Sequence, residues 1–296
     1  MRISTAYQYD VNFVNVNNAQ QALFKAGQQE ATGIQLSAPS DNPVAVQQVL
    51  NMQGLQDSLN QYQSNLGQAN AVLSSTGSAL QSVGSIMQSA YQLALQGTSG
   101  TIDDTTRQGL VSQVQDLEKQ LITAGNAQGT NGQYLFAGQK TDTKPFSLDI
   151  DGSLKYSGDD NSIEVPAGPS DTITVNTAGQ PLISDAFAAL KSLENNLSSN
   201  DLQAVSDNDL ANLKDSQSAI SLAQGSVGSK AQKVMSLTSN NARRITDLTS
   251  QISNLKEVNL AQAATNYAQA QNAYQAALTV VSRVSSLSLM NFLTGN

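Results

Sequence analysis

One run of residues limits what this chain can fold into more than any other. Between Met52 and Ala94, alternating steps of three and four residues land on Met52, Leu55, Leu59, Tyr62, Leu66, Ala69, Leu73, Thr76, Leu80, Val83, Met87, Ala90 and Ala94. All but Thr76 are apolar or aromatic, and the residues between them are largely Gln, Ser, Asn and Gly. A seam repeating every 3.5 residues belongs to a helix that packs lengthwise on other helices. At 1.5 Å per residue the run spans roughly 65 Å, far longer than an ordinary globular helix. The expected fold is therefore mainly α, an elongated coiled-coil-like bundle of long antiparallel helices.

The same seam recurs later. Leu110, Val114, Leu117, Leu121 and Ala124 follow a restart at Asp103 or Asp104, after a loop at Gly97-Thr98-Ser99-Gly100. A short loop there makes a helical hairpin. Ile183, Phe187, Leu190, Leu193 and Leu197 form a further helix. A long final seam then runs through Leu213, Ile220, Val227, Ala231, Val234, Ile245, Leu248, Ile252 and Leu255. Gln217, Gln224, Thr238 and Asn241 occupy seam positions in phase with it; such polar residues cost stability and fix register. After Leu255 the frame slips and resumes as Tyr267, Ala270, Tyr274, Ala277, Val281 and Val284, and a short apolar stretch from Leu287 to Leu293 follows.

Between the helices the period changes from helical to alternating. Tyr134–Ala137, Phe146–Ile150, Leu154–Tyr156, Ser162–Val165 and Thr172–Asn176 read as short strands separated by turn signals such as Asp151-Gly152. This β-rich insertion is too small to hold a large core of its own. The opening stretch, residues 1–38, carries only a thin stripe of Tyr7, Val11, Val14, Ala19, Ala22 or Leu23, and Ala26. Such a stripe barely offsets the cost of ordering a helix, so the segment is expected to fold conditionally. Pro39 and Pro43 break it, and Asp41 or Asn42 is placed to cap the next helix. The expected division is residues 1–44 with 256–296 as a terminal helical assembly domain, 45–132 with 183–255 as a long-helix rod, and 133–182 as the insertion. The simplest arrangement folds back on itself, with the termini paired at one end and the insertion at the other.

Composition removes much of chemistry. The chain of 296 residues has no Cys, His or Trp, which excludes disulfides, thiolate nucleophiles, Cys/His zinc sites and an imidazole base. A net charge of −8 offers nothing to nucleic acid. No apolar run reaches eighteen residues, and the N-terminus lacks the apolar stretch and cleavage site of a secretory signal. Either a cytosolic protein or one exported without cleavage of a leader fits. Ser253-Asn254-Leu255-Lys256 has the S-x-x-K spacing but lies in mid-seam with no supporting elements. Asp149, Asp151, Asp159 and Asp160 lack the order of a calcium loop, and Asn196-Leu197-Ser198 is a chance glycosylation triplet. No enzyme activity, cofactor or metal is expected.

Five short segments, in order, resemble the bacterial flagellin superfamily. Met1-Arg2-Ile3-Ser4-Thr5 looks like its start, and Thr32-Gly33-Ile34-Gln35-Leu36-Ser37-Ala38-Pro39-Ser40-Asp41-Asn42-Pro43-Val44-Ala45 is similar to its STGKRVxSPSDDPVAA pattern. Asn131 to Gly138 matches xNGxYLFAG, Tyr156-Ser157-Gly158-Asp159 resembles the Y-x-G-D that follows, and Ala276-Ala277-Leu278 with Ser286 to Leu289 and Asn291-Phe292-Leu293 looks like its ending. The basic residues usual after Thr-Gly are replaced by Ile34 and Gln35, and Asn42 stands for the second Asp. Pro43-Val44-Ala45 sets the chain apart from filament subunits and points to the branch that joins hook to filament.

The resemblance implies a structural, non-enzymatic component of the bacterial flagellum. It implies export unfolded through the flagellar type III apparatus, without a cleaved signal, to an extracellular location. The implied partners are further copies of itself in a ring, the adjacent hook-associated protein, flagellin, and a cytosolic export chaperone at the C-terminal helix. The expected assembly contacts are Tyr7, Val11, Val14, Leu23, Tyr267, Tyr274, Val281, Val284, Leu289, Phe292 and Leu293. The readings in competition are a filament subunit, a non-flagellar coiled-coil scaffold, and an extracellular adhesin using the insertion.

Overall fold

In the computed structural model, which describes residues 5–99 and 102–293, seven helices and four short strands follow the order the periodicities set. The helices are α1 (Thr5–Thr32), α2 (Pro43–Gly97), α3 (Asp104–Gly125), α4 (Gln180–Ser198), α5 (Leu202–Ala204), α6 (Leu210–Lys256) and α7 (Leu260–Leu293). Strands β1 (Phe146–Leu148) and β2 (Leu154–Tyr156) pair antiparallel, as do β3 (Glu164–Pro166) and β4 (Thr172–Thr174). The fold is mainly α with a small β insertion. Among the described residues, no helix is long and apolar enough to cross a membrane.

The chain forms two compact units, and the boundaries fall inside α2 and α6. One unit comprises residues 58–244. Its core is the seam read from sequence: Leu59, Leu66, Leu73, Leu80, Val83, Met87, Ala90 and Ala94 of α2 are all buried, as is Thr76, whose hydroxyl donates to Val72 O at 2.8 Å. From α6 come Leu213, Ile220, Val227 and Val234. A methyl on Gly77 would touch Val227 and one on Gly84 would touch Ile220, so α2 and α6 run antiparallel. Leu117 and Leu121 of α3 and Leu190 and Leu193 of α4 complete the cluster.

Helix ends follow local chemistry. The carboxylate of Asp103 accepts from Thr106 N at 2.8 Å and caps α3. Arg107 of α3 donates to Leu197 O (2.9 Å) and Ser198 O (3.1 Å), satisfying carbonyls at the end of α4. Beyond α5, the π-helical turn Val205–Asp209 leads into α6. It buries Asp209, which accepts from Ser192 Oγ at 2.6 Å and Asn196 Nδ2 at 2.9 Å. The glycosylation triplet thus has its asparagine occupied inside the fold.

The insertion departs from expectation in two ways. Tyr134–Ala137 is not a strand. It is a series of turns, with Tyr134 bridged to Gln128, and it buries Leu135, Phe136 and Ala137. A four-residue apolar run cannot distinguish a strand from a buried turn by periodicity. The insertion also does not sit at the end of the bundle formed by Gly97, Arg107 and Leu197. It rises where α3 ends and α4 begins, and a methyl on Gly125 would strike Phe146 and Ile183. Asn65 of α2 donates to Pro166 O at 3.0 Å, and Lys230 of α6 donates to Asn176 O at 3.1 Å. Phe136, Phe146, Ala167, Ile173 and Val175 belong to the helical core cluster, as a segment without a core of its own requires.

The other unit comprises residues 1–57 and 245–296. In it α1 packs on α7, and the first turns of α2 and last turns of α6 join them, with Gln56 Nε2 donating to Thr249 Oγ1 at 2.8 Å. The frame slip after Leu255 is a true helix break at Glu257–Asn259. There the chain bonds to the residues after α1: Gln35 N donates to Lys256 O at 2.6 Å, and Val258 N to Gly33 O at 2.9 Å. Gly33, with φ 70°, supplies the left-handed turn that ends α1.

Candidate assembly surface

The terminal helices pair antiparallel, because Gly27 lies against Tyr267 and Gly33 against Leu260. On α7 the half-buried or buried positions are Ala263, Tyr267, Ala270, Tyr274, Ala277, Val281 and Val284. That is the stripe the sequence shows. On α1 the equivalent positions up to Ala26 are Asn12, Val16, Ala19, Leu23 and Ala26, and Gly27, Gln29 and Glu30 are half-buried beyond them. Alternating steps of three and four on both helices make a narrow seam in which alanines allow close approach. Leu23, Tyr267, Tyr274, Val281 and Val284 therefore share this intrachain seam.

Tyr7, Val11 and Val14 do not join it. They are 62%, 41% and 54% exposed. The second half of the expected stripe, Ala19, Leu23 and Ala26, is the packed face, whereas its first half lies off it, because the seam there runs through Asn12 and Val16. The outer face of α1 also carries Phe13 and Phe24, at 71% and 74% exposure. These two aromatic residues were missed: they lie eleven residues apart on one side of α1, but Asn17 and Gln20 stand between them at that spacing and no apolar stripe shows. Leu278 and Val280 are exposed on α7. The side chains of Leu289, Phe292 and Leu293 lie outside the described residues, although α7 extends to Leu293.

The loop between α1 and α2 is built around Asp41. One carboxylate oxygen pairs with Lys25 Nζ at 2.7 Å, and the other accepts from Ser37 N (3.0 Å) and Ala38 N (2.9 Å). The hydrogen bond from the Lys25 ammonium, then the one from Ala38, hold this carboxyl below its usual range. Asn42 caps α2, with Oδ1 accepting from Ala45 N at 3.1 Å. Asn in place of a second Asp keeps that cap intact.

The two insertion motifs interlock. The Tyr156 hydroxyl lies 2.8 Å from Asp159 O and 3.1 Å from Phe136 O, and burial pushes its pKa up to about 12. Asp159 Oδ1 accepts from Gln139 N at 2.8 Å and Asn161 N at 3.1 Å. Gly138, with φ 67°, sits so close that any side chain would run into the Asp159 backbone. These residues hold the insertion together and offer no site. In the turn before β2, Asp151 Oδ1 accepts from Ser153 N and Oγ.

Known proteins match this architecture. The model of the bacterial flagellin N-terminal helical region matches residues 3–141. Flagellar hook-associated protein 3 of Escherichia coli (strain K12) is 29% identical over 98% of both chains, and that of Salmonella typhimurium is 28% identical over the same shares. The solved structure of flagellar hook-associated protein 3 from Legionella pneumophila has the same fold, with a TM-score of 0.64 at 14% identity, covering 70% of this chain and 98% of that one. The chain is thus similar to the bacterial flagellin N-terminal helical region over residues 3–141, and to flagellar hook-associated protein 3 from end to end.

Proposed function

We propose that this chain is a structural, non-enzymatic component of the bacterial flagellum that joins the hook to the filament. The observation that carries the reading is the end-to-end match to hook-associated protein 3, over 98% of both chains. The terminal helices support a role in assembly: their shared seam is thin, and Tyr7, Val11, Phe13, Val14 and Phe24 leave an apolar outer face on α1. Faces of that kind mark interaction surfaces. In this reading copies of the chain form a ring through α1 and α7, with the adjacent hook-associated protein on one side and flagellin on the other. Before assembly, the C-terminal helix is held by a cytosolic export chaperone. The protein reaches the outside without cleavage of a leader, and the 1–44 and 256–296 segments act as the assembly domain.

Electron microscopy of a deletion strain tests this. Bare hooks and filament subunits shed into the medium, both reversed by the restored gene, are the expected result. Normal filaments in the deletion strain would refute it.

A further inference from the structure

Two carboxylates meet where α3 packs on α4 in the 58–244 unit. Glu118 and Glu194 are 8% and 9% exposed, each on the buried face of its helix. Only one ammonium serves both. Lys191 pairs with Glu194 Oε2 and stands 3.8 Å from Glu118 Oε2. Glu194 Oε1 accepts from Gln115 Nε2 at 2.6 Å, so both of its oxygens are satisfied. Glu118 Oε1 is buried and has no hydrogen-bond partner. A buried ionised oxygen without a partner is costly, whereas a protonated carboxyl could donate to the neighbouring carboxylate.

The surroundings offer little to offset a second negative charge. The charged groups acting on Glu118 are Glu194, Lys191 and Lys119. The α2 segment from Ser58 to Gly97 contains no Asp, Glu, Lys or Arg. Asp209, on the π-helical turn, is bound by Ser192 and Asn196 of α4.

We propose that Glu118 and Glu194 share one proton near neutral pH, and that this proton fastens α3 to α4 about two turns before α3 reaches the insertion. The position makes the fastening consequential. The helices run antiparallel, and Phe146 of β1 packs where α3 ends, beside Ile183 of α4. Losing the proton leaves two adjacent buried carboxylates sharing Lys191, and the α3–α4 contact loosens around them. Burial, and next the charge of Glu194, push Glu118 up to about 7 from the usual 4.5.

A raised carboxyl pKa gives stability that is complete below about pH 4.5 and lost as pH rises to about 7. Between pH 5.5 and pH 8 the folding equilibrium constant of the wild type should fall roughly thirtyfold from this group. The test is a carboxyl-carbon NMR titration of the full chain with labelled glutamate, beside urea unfolding at both pH values. One glutamate titrating near 7, missing in Glu118→Gln and moved toward 4.5 in Glu194→Gln, is expected. The urea midpoint of Glu118→Gln should be flat across the window. Glutamates that all titrate below about pH 5.5 would overturn the proposal, as would a Glu118→Gln midpoint as pH-dependent as wild type. If Glu118→Gln does not fold, the wild-type and Glu194→Gln titrations decide it.

Discussion

The Lys25 ammonium lies 2.7 Å from the Asp41 carboxylate, across the loop that separates α1 from α2. The pair fastens the end of α1 to a turn whose Ser37 and Ala38 N–H groups point at the same carboxylate. Asp41→Asn removes the charge and should speed amide exchange at Ser37 and Ala38 at neutral pH. Because the folded carboxyl is held below 3.8, its contribution is fully present above that value and is lost as pH falls through the depressed one. Amide exchange followed by NMR from pH 7 to pH 3 checks this. Protection unchanged in Asp41→Asn would contradict it.

Two glycines with similar backbones should respond differently to alanine. Gly132 has φ 78° with open space around it, so Gly132→Ala should cost only about 1 kcal/mol for the left-handed conformation. Gly138 has φ 67° and faces the Asp159 backbone, so Gly138→Ala must also displace the turn that joins the two insertion motifs. A loss of at least about 2 kcal/mol in urea unfolding is expected. Equal costs for the two would mean that the motifs do not hold each other.

Asn241 is 5% exposed at a seam position of α6, and its Nδ2 has no hydrogen-bond partner. Replacing a buried amide in an apolar seam removes an uncompensated desolvation cost, so Asn241→Leu should stabilise the chain by about 1 kcal/mol or more. The urea midpoint reads it. A lower midpoint would contradict it.

The long seams of α2 and α6 were legible because a 3.5-residue period reports directly which face is covered. Asn241 could be placed in the seam from sequence, even though it is polar. The seam of α1 was legible only in its second half, at Ala19, Leu23 and Ala26. Its packed face includes Asn12 and small alanines, while Tyr7, Val11 and Val14 are apolar and exposed, so hydrophobicity points to the wrong side there. The turn at Tyr134–Ala137 needed knowledge of Asp159, far along the chain, whose N–H donates to Ala137 O. Glu118 and Glu194 look like solvated positions in sequence, since nothing local says that α3 and α4 bury those faces against each other. The α7 stripe was legible as the packed face of its helix, and the exposed Phe13 and Phe24 of α1 were not singled out.

The terminal helices should be the first part of the purified monomer to yield to a non-specific protease. Among the described residues of α1 and α7, only Ala26 and Ala263 are buried, against the many large side chains buried in the 58–244 unit. Local opening is cheap where few large apolar groups are covered. Mass spectrometry should find early cuts in both helices and a resistant core of roughly residues 45–255. Simultaneous loss of termini and core would contradict this.

The most direct test of the account asks whether the outer face of α1 joins subunits without serving the monomer. A deletion strain would be complemented with wild type or with Tyr7→Ser, Val11→Ser and Val14→Ser combined, and imaged by electron microscopy. The purified variant should keep the wild-type urea midpoint, because all three side chains are exposed. Its strain should nonetheless show bare hooks and filament subunits in the medium. Filaments of normal number and length, from a variant present at wild-type levels, would contradict the claim that this face assembles the junction.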